Sequence, residues 1–172
     1  MYKIIQEPNG LIVPLQEVKN YLKVENNLED TLISMLTKAA EDAANKYMLR
    51  YIRKTVFEYF EESSSSIIEL RRARFNSIQK VEILDSDGWV ETDDYSISSN
   101  SDIYGVVKIG PAHSACKITF TVGYDTLPPS LKTAILIIIA NMYENRGDDS
   151  EYSTIPEIGK QLLNGYRVIR AC

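Results

Sequence analysis

The chain has few of the side chains that usually carry chemistry. It contains one histidine, His113, and two cysteines, Cys116 and Cys172, in 172 residues. Zinc sites need three or four cysteine, histidine or carboxylate ligands, and so small a stock does not furnish one. Two cysteines make no disulfide framework, and a reducing compartment suits them better. No apolar run approaches the ~20 residues of a membrane span. The longest, Ala134 to Ala140, has seven. The opening Met1-Tyr2-Lys3-Ile4-Ile5-Gln6 has neither the charged start nor the apolar middle of a secretion signal, so a soluble product of the cytosol is expected. Basic excess is lacking too: 19 lysines and arginines stand against 24 acids, for a net charge of −5. That balance disfavours a generally basic nucleic-acid binder. Phosphate-cradling GxxxxGK[ST] and GxGxxG loops and the GxSxG nucleophile elbow are absent.

What is present is unevenly distributed. Residues 55–127 carry twelve acidic and six basic side chains, and the segments on either side are close to neutral. The hydrophobic period changes at the same borders. A first helix is expected from Pro14, with Leu15, Val18, Tyr21 and Leu22 at helical spacing. A second is expected from an Asn27 cap, with Glu29 and Asp30 in its first turn and a stripe of Leu28, Leu32, Leu36, Ala40, Ala43 and Tyr47. Period-two segments follow: Thr55–Phe60, Ile67–Leu70, Ile78–Leu84, Trp89–Thr92, Tyr95–Ile97, Ile103–Ile109 and Lys117–Val122. Ser63–Ser66 reads as a turn, and Asp87-Gly88 as a hairpin. After Pro128-Pro129 the pattern is helical again. Leu131, Ala134, Ile135, Ile138, Met142 and Tyr143 form one stripe, while Leu136, Ile137 and Ile139 fill the other sides. A helix apolar nearly all round must be buried, within the subunit or between subunits. Gly147 stops it. Thr154-Ile155-Pro156-Glu157 fits a capping box for a last helix ending at Asn164-Gly165.

The fold class expected is therefore α+β. Residues 1–54 and 128–172 form one small helical bundle, and 55–127 an antiparallel β-rich insert. No catalytic, cofactor or metal residue is assigned. His113, in a Gly110–Ser114 turn, reads as a solvated loop residue, and no orienting group makes Cys116 a nucleophile beside it. Asp85-Ser86-Asp87-Gly88 opens like a calcium loop but has strands on both sides, so it reads as a hairpin. Asp148, Asp149 and Glu151 read as a solvated acidic loop. Arg71, Arg72 and Arg74 form the one basic cluster, which leaves open a small nucleic-acid-binding regulator. A hydrolase working through carboxylates of the insert is a weaker alternative. Eleven tyrosines among sixteen aromatics favour contact surfaces.

Three stretches, in order, carry a family resemblance. The first is Leu15-Gln16-Glu17-Val18-Lys19-Asn20-Tyr21-Leu22, followed by Glu29-Asp30 and Lys38-Ala39-Ala40-Glu41. The second is Gly123-Tyr124, then Leu127-Pro128-Pro129-Ser130-Leu131-Lys132-Thr133-Ala134-Ile135. The third is Met142-Tyr143-Glu144-Asn145-Arg146, then Ile155-Pro156, Leu162-Leu163 and Tyr166-Arg167. Together they resemble the head–tail connector (adaptor) proteins of tailed phages, prophages and gene transfer agents, in the larger form with a β-rich insert. The resemblance implies a non-catalytic virion protein that needs no cofactor. It implies a ring, commonly of twelve copies, under the portal protein, with a stopper or tail-completion protein below and DNA passing through without sequence-specific binding. It also implies a place at the head–tail junction after assembly in the host cytoplasm, and no membrane. On that reading Tyr166, Arg167 and Arg170 are expected to contact the portal or the neighbouring subunit. Leu136, Ile137, Tyr143 and Arg146 are expected at the subunit interface.

Overall fold

The computed structural model describes residues 1–62, 65–70, 75–100, 105–146 and 154–168. The chain divides into two compact units. One comprises Asn9–Ile52 and Thr126–Arg167; the other comprises Met1–Pro8, Arg53–Asp125 and the stretch beginning at Val168. The architecture is α+β, with four helices and antiparallel sheets among the described residues.

The helical unit contains α1 (Leu15–Leu22), α2 (Asp30–Met48), α3 (Pro129–Glu144) and α4 (Glu157–Asn164). Its core is Val18, Ile33, Ala40, Ala44, Met48, Leu131, Ala134, Ile135, Ile138, Ile139 and Leu163. α3 packs against α1, α2 and α4, which is how a helix apolar on most sides is accommodated. Ile139, expected away from the main stripe, is fully buried, whereas Leu136 and Ile137 are half-buried.

α2 departs from expectation in two ways. It begins at Asp30, after the Asn27 position expected to cap it, because Asn27 spends its side-chain oxygen on the Lys19 ammonium at 2.6 Å. Its buried face is Ile33, Thr37, Ala40, Glu41, Ala44 and Met48. Leu32, Leu36, Ala43 and Tyr47 lie at the margin and Leu28 is exposed. Small residues on the buried side, with Thr37 Oγ1 donating to the Ile33 carbonyl at 2.8 Å, let helices approach closely, and this outweighs the larger leucines. α1 and α2 both end in a residue in the left-handed conformation, Lys23 and Leu49, each with φ +58°. The amides there donate back to the last turn, as αL caps do. The expected capping box at Thr154 is not formed. Pro156, extended at φ −65° and ψ 158°, stands at the N-cap of α4, and no side chain caps it.

The β unit holds β1 (Tyr2–Gln6), β2 (Thr55–Glu61), β3 (Ile67–Leu70), β4 (Phe75–Asp85), β5 (Gly88–Glu91), β6 (Tyr95–Asn100), β7 (Gly105–Ile109) and β8 (Ala115–Val122). They form a five-stranded sheet in the order β1-β2-β8-β4-β5 and a three-stranded sheet in the order β3-β7-β6. β1 lies within residues 1–54, expected to belong to the helical bundle, yet it joins the β unit. It pairs antiparallel with β2, Tyr2 opposite Tyr59 and Ile4 opposite Phe57. The hairpin between β4 and β5 is present. Asp87 N donates to Asp85 Oδ1 at 2.8 Å and Gly88 takes φ +120°, so the acids there shape a turn.

The β core centres on Phe57, Phe75 and Phe120, with Phe120 6.0 Å from Phe57 and 6.3 Å from Phe75 between ring centroids. Gly105 of β7 lies against the Phe75 ring. A Cβ at Gly105 would come within 1.9 Å of Phe75 Cε1. Phe75 is fully buried, so its ring can give way only by displacing packed neighbours. Gly105→Ala is therefore expected to cost about 2 kcal/mol, the scale of overpacking a filled core. Denaturant unfolding followed by circular dichroism checks it; unchanged stability would show that the ring can give way.

Candidate functional site

The helical unit carries three groups of polar ties around its ends. At the start of α2, Glu29 receives hydrogen bonds from the Tyr143 hydroxyl and, at 2.9 Å, from Arg146 Nη1. The guanidinium of Arg146 also lies over the Tyr143 ring, 4.4 Å from its centre. Tyr143 and Arg146, expected at a subunit interface, are thus engaged within the chain, where they clip the end of α3 to the start of α2. The hydrogen bond from Tyr143, then that from Arg146, holds the Glu29 carboxyl below its ordinary range. A carboxyl depressed by folding contributes stability above its unfolded pKa, and this is lost as pH falls through the lowered folded value. Glu29→Gln is expected to be less stable than wild type at neutral pH, with the gap closing as the solution is acidified below the ordinary carboxylate range. Melting temperatures across pH check this; a gap independent of pH would mean that the carboxylate charge is not what holds the clip.

The second tie is a buried lysine that sequence reasoning did not single out. Lys19 of α1 is only 3% exposed. Its ammonium donates to Asn27 Oδ1 at 2.6 Å and Asp30 Oδ1 at 2.7 Å. Buried lysines need such partners, so α1 fixes the α1–α2 turn. Its signal in the sequence was available: Lys19 follows Val18, a core position, on the face that the apolar spacing of α1 turns inward.

The third lies at the other end of the unit. Tyr166 and Ser130 share a hydrogen bond of 2.6 Å between hydroxyls, Tyr47 Oη donates to Asn164 Oδ1 at 2.7 Å, and the Arg167 guanidinium sits 5.0 Å from the centre of the Tyr47 ring. Tyr166 is half-buried and Arg167 exposed. Arg170 lies outside the described residues, as do Arg71, Arg72, Arg74, Asp148, Asp149, Glu151 and Cys172.

Exposed apolar side chains in this unit include Leu28, Met35, Tyr21 and Ile158. Leu28, just before α2, lines up at helical spacing with half-buried Leu32 and Leu36 and with exposed Met35 on the leucine-rich side of α2. In the β unit the exposed Trp89 carries the Lys117 ammonium 3.7 Å above its ring.

The polar residues of the β unit that could suggest catalysis are set up otherwise. His113 is buried, not a solvated turn residue; its Nδ1 lies 2.8 Å from the Pro111 carbonyl, which orients the ring in the loop. Cys116 is buried in β8, and burial, then the charge of Glu61, pushes its thiol up to about 11. It is a thiol and not a thiolate at neutral pH. Tyr59 Oη donates to Glu61 Oε2 at 2.8 Å, and burial followed by that bond raises the Tyr59 pKa. Lys80 lies between Glu82 at 2.8 Å and Glu91 at 3.6 Å. No group of three or more histidine, cysteine, aspartate or glutamate side chains among the described residues could hold a metal ion. No helix among them is long and apolar enough to cross a membrane.

No protein-family model matches the chain, and no curated protein does. Solved structures do. A chain from the neck of an empty gene transfer agent (GTA) particle, computed with C6 symmetry, superposes with a TM-score of 0.81 at 17% identity; the match covers 100% of this chain and 97% of that one. A chain from the virion of a native GTA particle matches with a TM-score of 0.80 at 18% identity and the same coverage. A chain from the neck of a native GTA particle, computed with C12 symmetry, gives 0.76 at 16%. The chain shares their fold over its whole length. The likeness therefore takes in both the helical unit and the β unit.

Proposed function

We propose that the chain is a structural head–tail connector of a tailed phage, prophage or gene transfer agent particle. It forms a ring under the portal protein, through which DNA passes, and hands on to a stopper or tail-completion protein below. It acts without catalysis. The observation that carries this reading is the end-to-end match, at TM-scores of 0.76–0.81, to chains of the GTA neck and virion. The symmetry of the neck structures, C6 and C12, supports a ring. The order of the three sequence stretches described above supports the same family independently. The acidic excess of residues 55–127 suits a passage that must not hold DNA, because like charge discourages sticking.

Within this reading Arg167 is a docking residue for the portal or a neighbour. It is exposed, and its guanidinium is preoriented on the Tyr47 ring for two-point contact with a carboxylate. Tyr166 shares in the contact through its half-exposed ring. Leu136 and Ile137 are half-buried in the subunit and lie at its edge, where a neighbour completes their burial. Tyr143 and Arg146 shape the surface through Glu29. The test is electron microscopy of the full-length chain mixed with the portal protein encoded beside it. A ring of added density beneath the portal is expected. A portal unchanged at saturating concentration of the chain would end the proposal.

A further inference from the structure

From Asn26 to Asp30 every side chain but one is tied by a hydrogen bond. Asn26 Oδ1 accepts from Leu28 N at 3.0 Å. Asn27 and Asp30 are both bound to the buried Lys19 ammonium. Glu29 is held by Tyr143 and Arg146. In the middle of this network stands Leu28, with its side chain 91% exposed. Folding has thus committed a buried lysine, two acids and two asparagines to a turn whose one apolar side chain faces water. Seven residues further on, about two turns and in line with Leu28 at helical spacing, Met35 is 64% exposed, with half-buried Leu32 and Leu36 nearby in the sequence. A rigid, preorganised apolar knob loses little freedom on binding, which is the property of an interface anchor.

We propose that Leu28, with Met35 beside it, is the anchor by which one copy of this chain grips the next. The proposal rests on the ring assembly proposed above and names the surface that closes it. Further along α2, at helical spacing from Met35, stand the exposed Lys38, Asp42 and Lys46, with Asp42 and Lys46 paired to each other at 2.6 Å. Charges of both signs next to exposed apolar side chains suit a protein partner, and not a nucleic acid or an anionic membrane. A closed ring is built from head-to-tail contacts, in which each copy presents two unlike patches. The helical unit has unlike patches to offer, since Tyr21 of α1 and Ile158 of α4 are exposed on other helices.

The test is sedimentation velocity of the full-length chain up to about 1 mM, a range that reaches weak self-association. Wild type is expected to form oligomers. Leu28→Asp is expected to keep its circular dichroism spectrum and melting temperature and to weaken self-association by on the order of thirtyfold. If Leu28→Asp lowers the melting temperature, Met35→Asp, at an exposed site within the helix, takes its place in the comparison. Oligomers that persist unchanged in the folded variant overturn the proposal. So does a wild-type chain that stays monomeric throughout; the connector reading would then still stand or fall on the portal experiment. Loss of the oligomers in the variant, with a ring under the portal in wild type, carries both.

Discussion

Ile138→Asp is expected to destabilise the helical unit by on the order of 5 kcal/mol, enough to remove most of a typical domain's stability. Ile138 is fully buried at the centre of α3. Its Cγ1 lies 3.6 Å from where a Cβ on Gly159 would stand, so the bare backbone of α4 packs directly over it. Replacement removes buried methyl groups and leaves a void, which alone costs about 2 to 5 kcal/mol. It also puts a carboxyl where no partner waits, and burial of an unpaired polar group adds a few kcal/mol even after it takes up a proton. The comparison is Ile158→Asp. Ile158 is on the next helix but mostly exposed, and its replacement should change stability by no more than about 0.5 kcal/mol. Urea unfolding of both variants, followed by far-ultraviolet circular dichroism, tests the pair. Equal midpoints would mean that α3 is not the centre of the helical core.

Gly123→Ala is expected to cost about 3 kcal/mol, for a reason local to the backbone. Gly123 follows β8 with φ +91°, a conformation that side-chain-bearing residues rarely adopt. A Cβ there would stand 2.2 Å from the Arg53 carbonyl oxygen and 2.9 Å from the Lys54 nitrogen. Backbone cannot rotate away as a side chain can. The neighbouring strands are also fixed, since Asn76 Nδ2 donates to the Gly123 carbonyl at 2.6 Å and Arg53 bridges to Tyr124. Gly110→Ala is the control. Its Cβ would meet only the carboxylate of Asp94, on an exposed residue that can swing aside. Thermal unfolding of the two variants should separate them clearly, and a Gly123→Ala protein as stable as wild type would show that the chain can shift at Arg53.

The polar ties of the helical unit join groups that meet across long stretches of chain. Glu29 with Tyr143 and Arg146, and Tyr47 with Asn164, are pairs drawn from opposite ends of the sequence, and Ser130 with Tyr166 ties the start of α3 to the residues after α4. They fasten the ends of helices to one another. Short polar clips at helix ends keep the helices in place without disturbing the packed interior.

What the sequence determined by itself was local. The change of hydrophobic period near residues 54 and 127 marks helix from strand because a helix and a strand repeat their inward faces at different intervals. Pro14, Pro128 and Asp87-Gly88 act through their own backbone geometry. The ordered helix stretches were enough to suggest a connector, and the fold matches neck chains from end to end. What only the tertiary structure decided depended on partners far away in the chain. Tyr2–Gln6 became a strand because β2 offered it an open edge, and no local signal reveals a distant edge. α2 has two apolar sides, one of leucines and one of isoleucine, alanine and methionine. Periodicity alone favours the leucines. The core took the smaller side because α3, already apolar nearly all round, fits closely against alanine, and close packing of two helices is a property of the pair. That choice left Leu28 in water. It also drew Tyr143 and Arg146 inward onto Glu29, since the face of α2 that meets α3 fixes which groups their ends bring together.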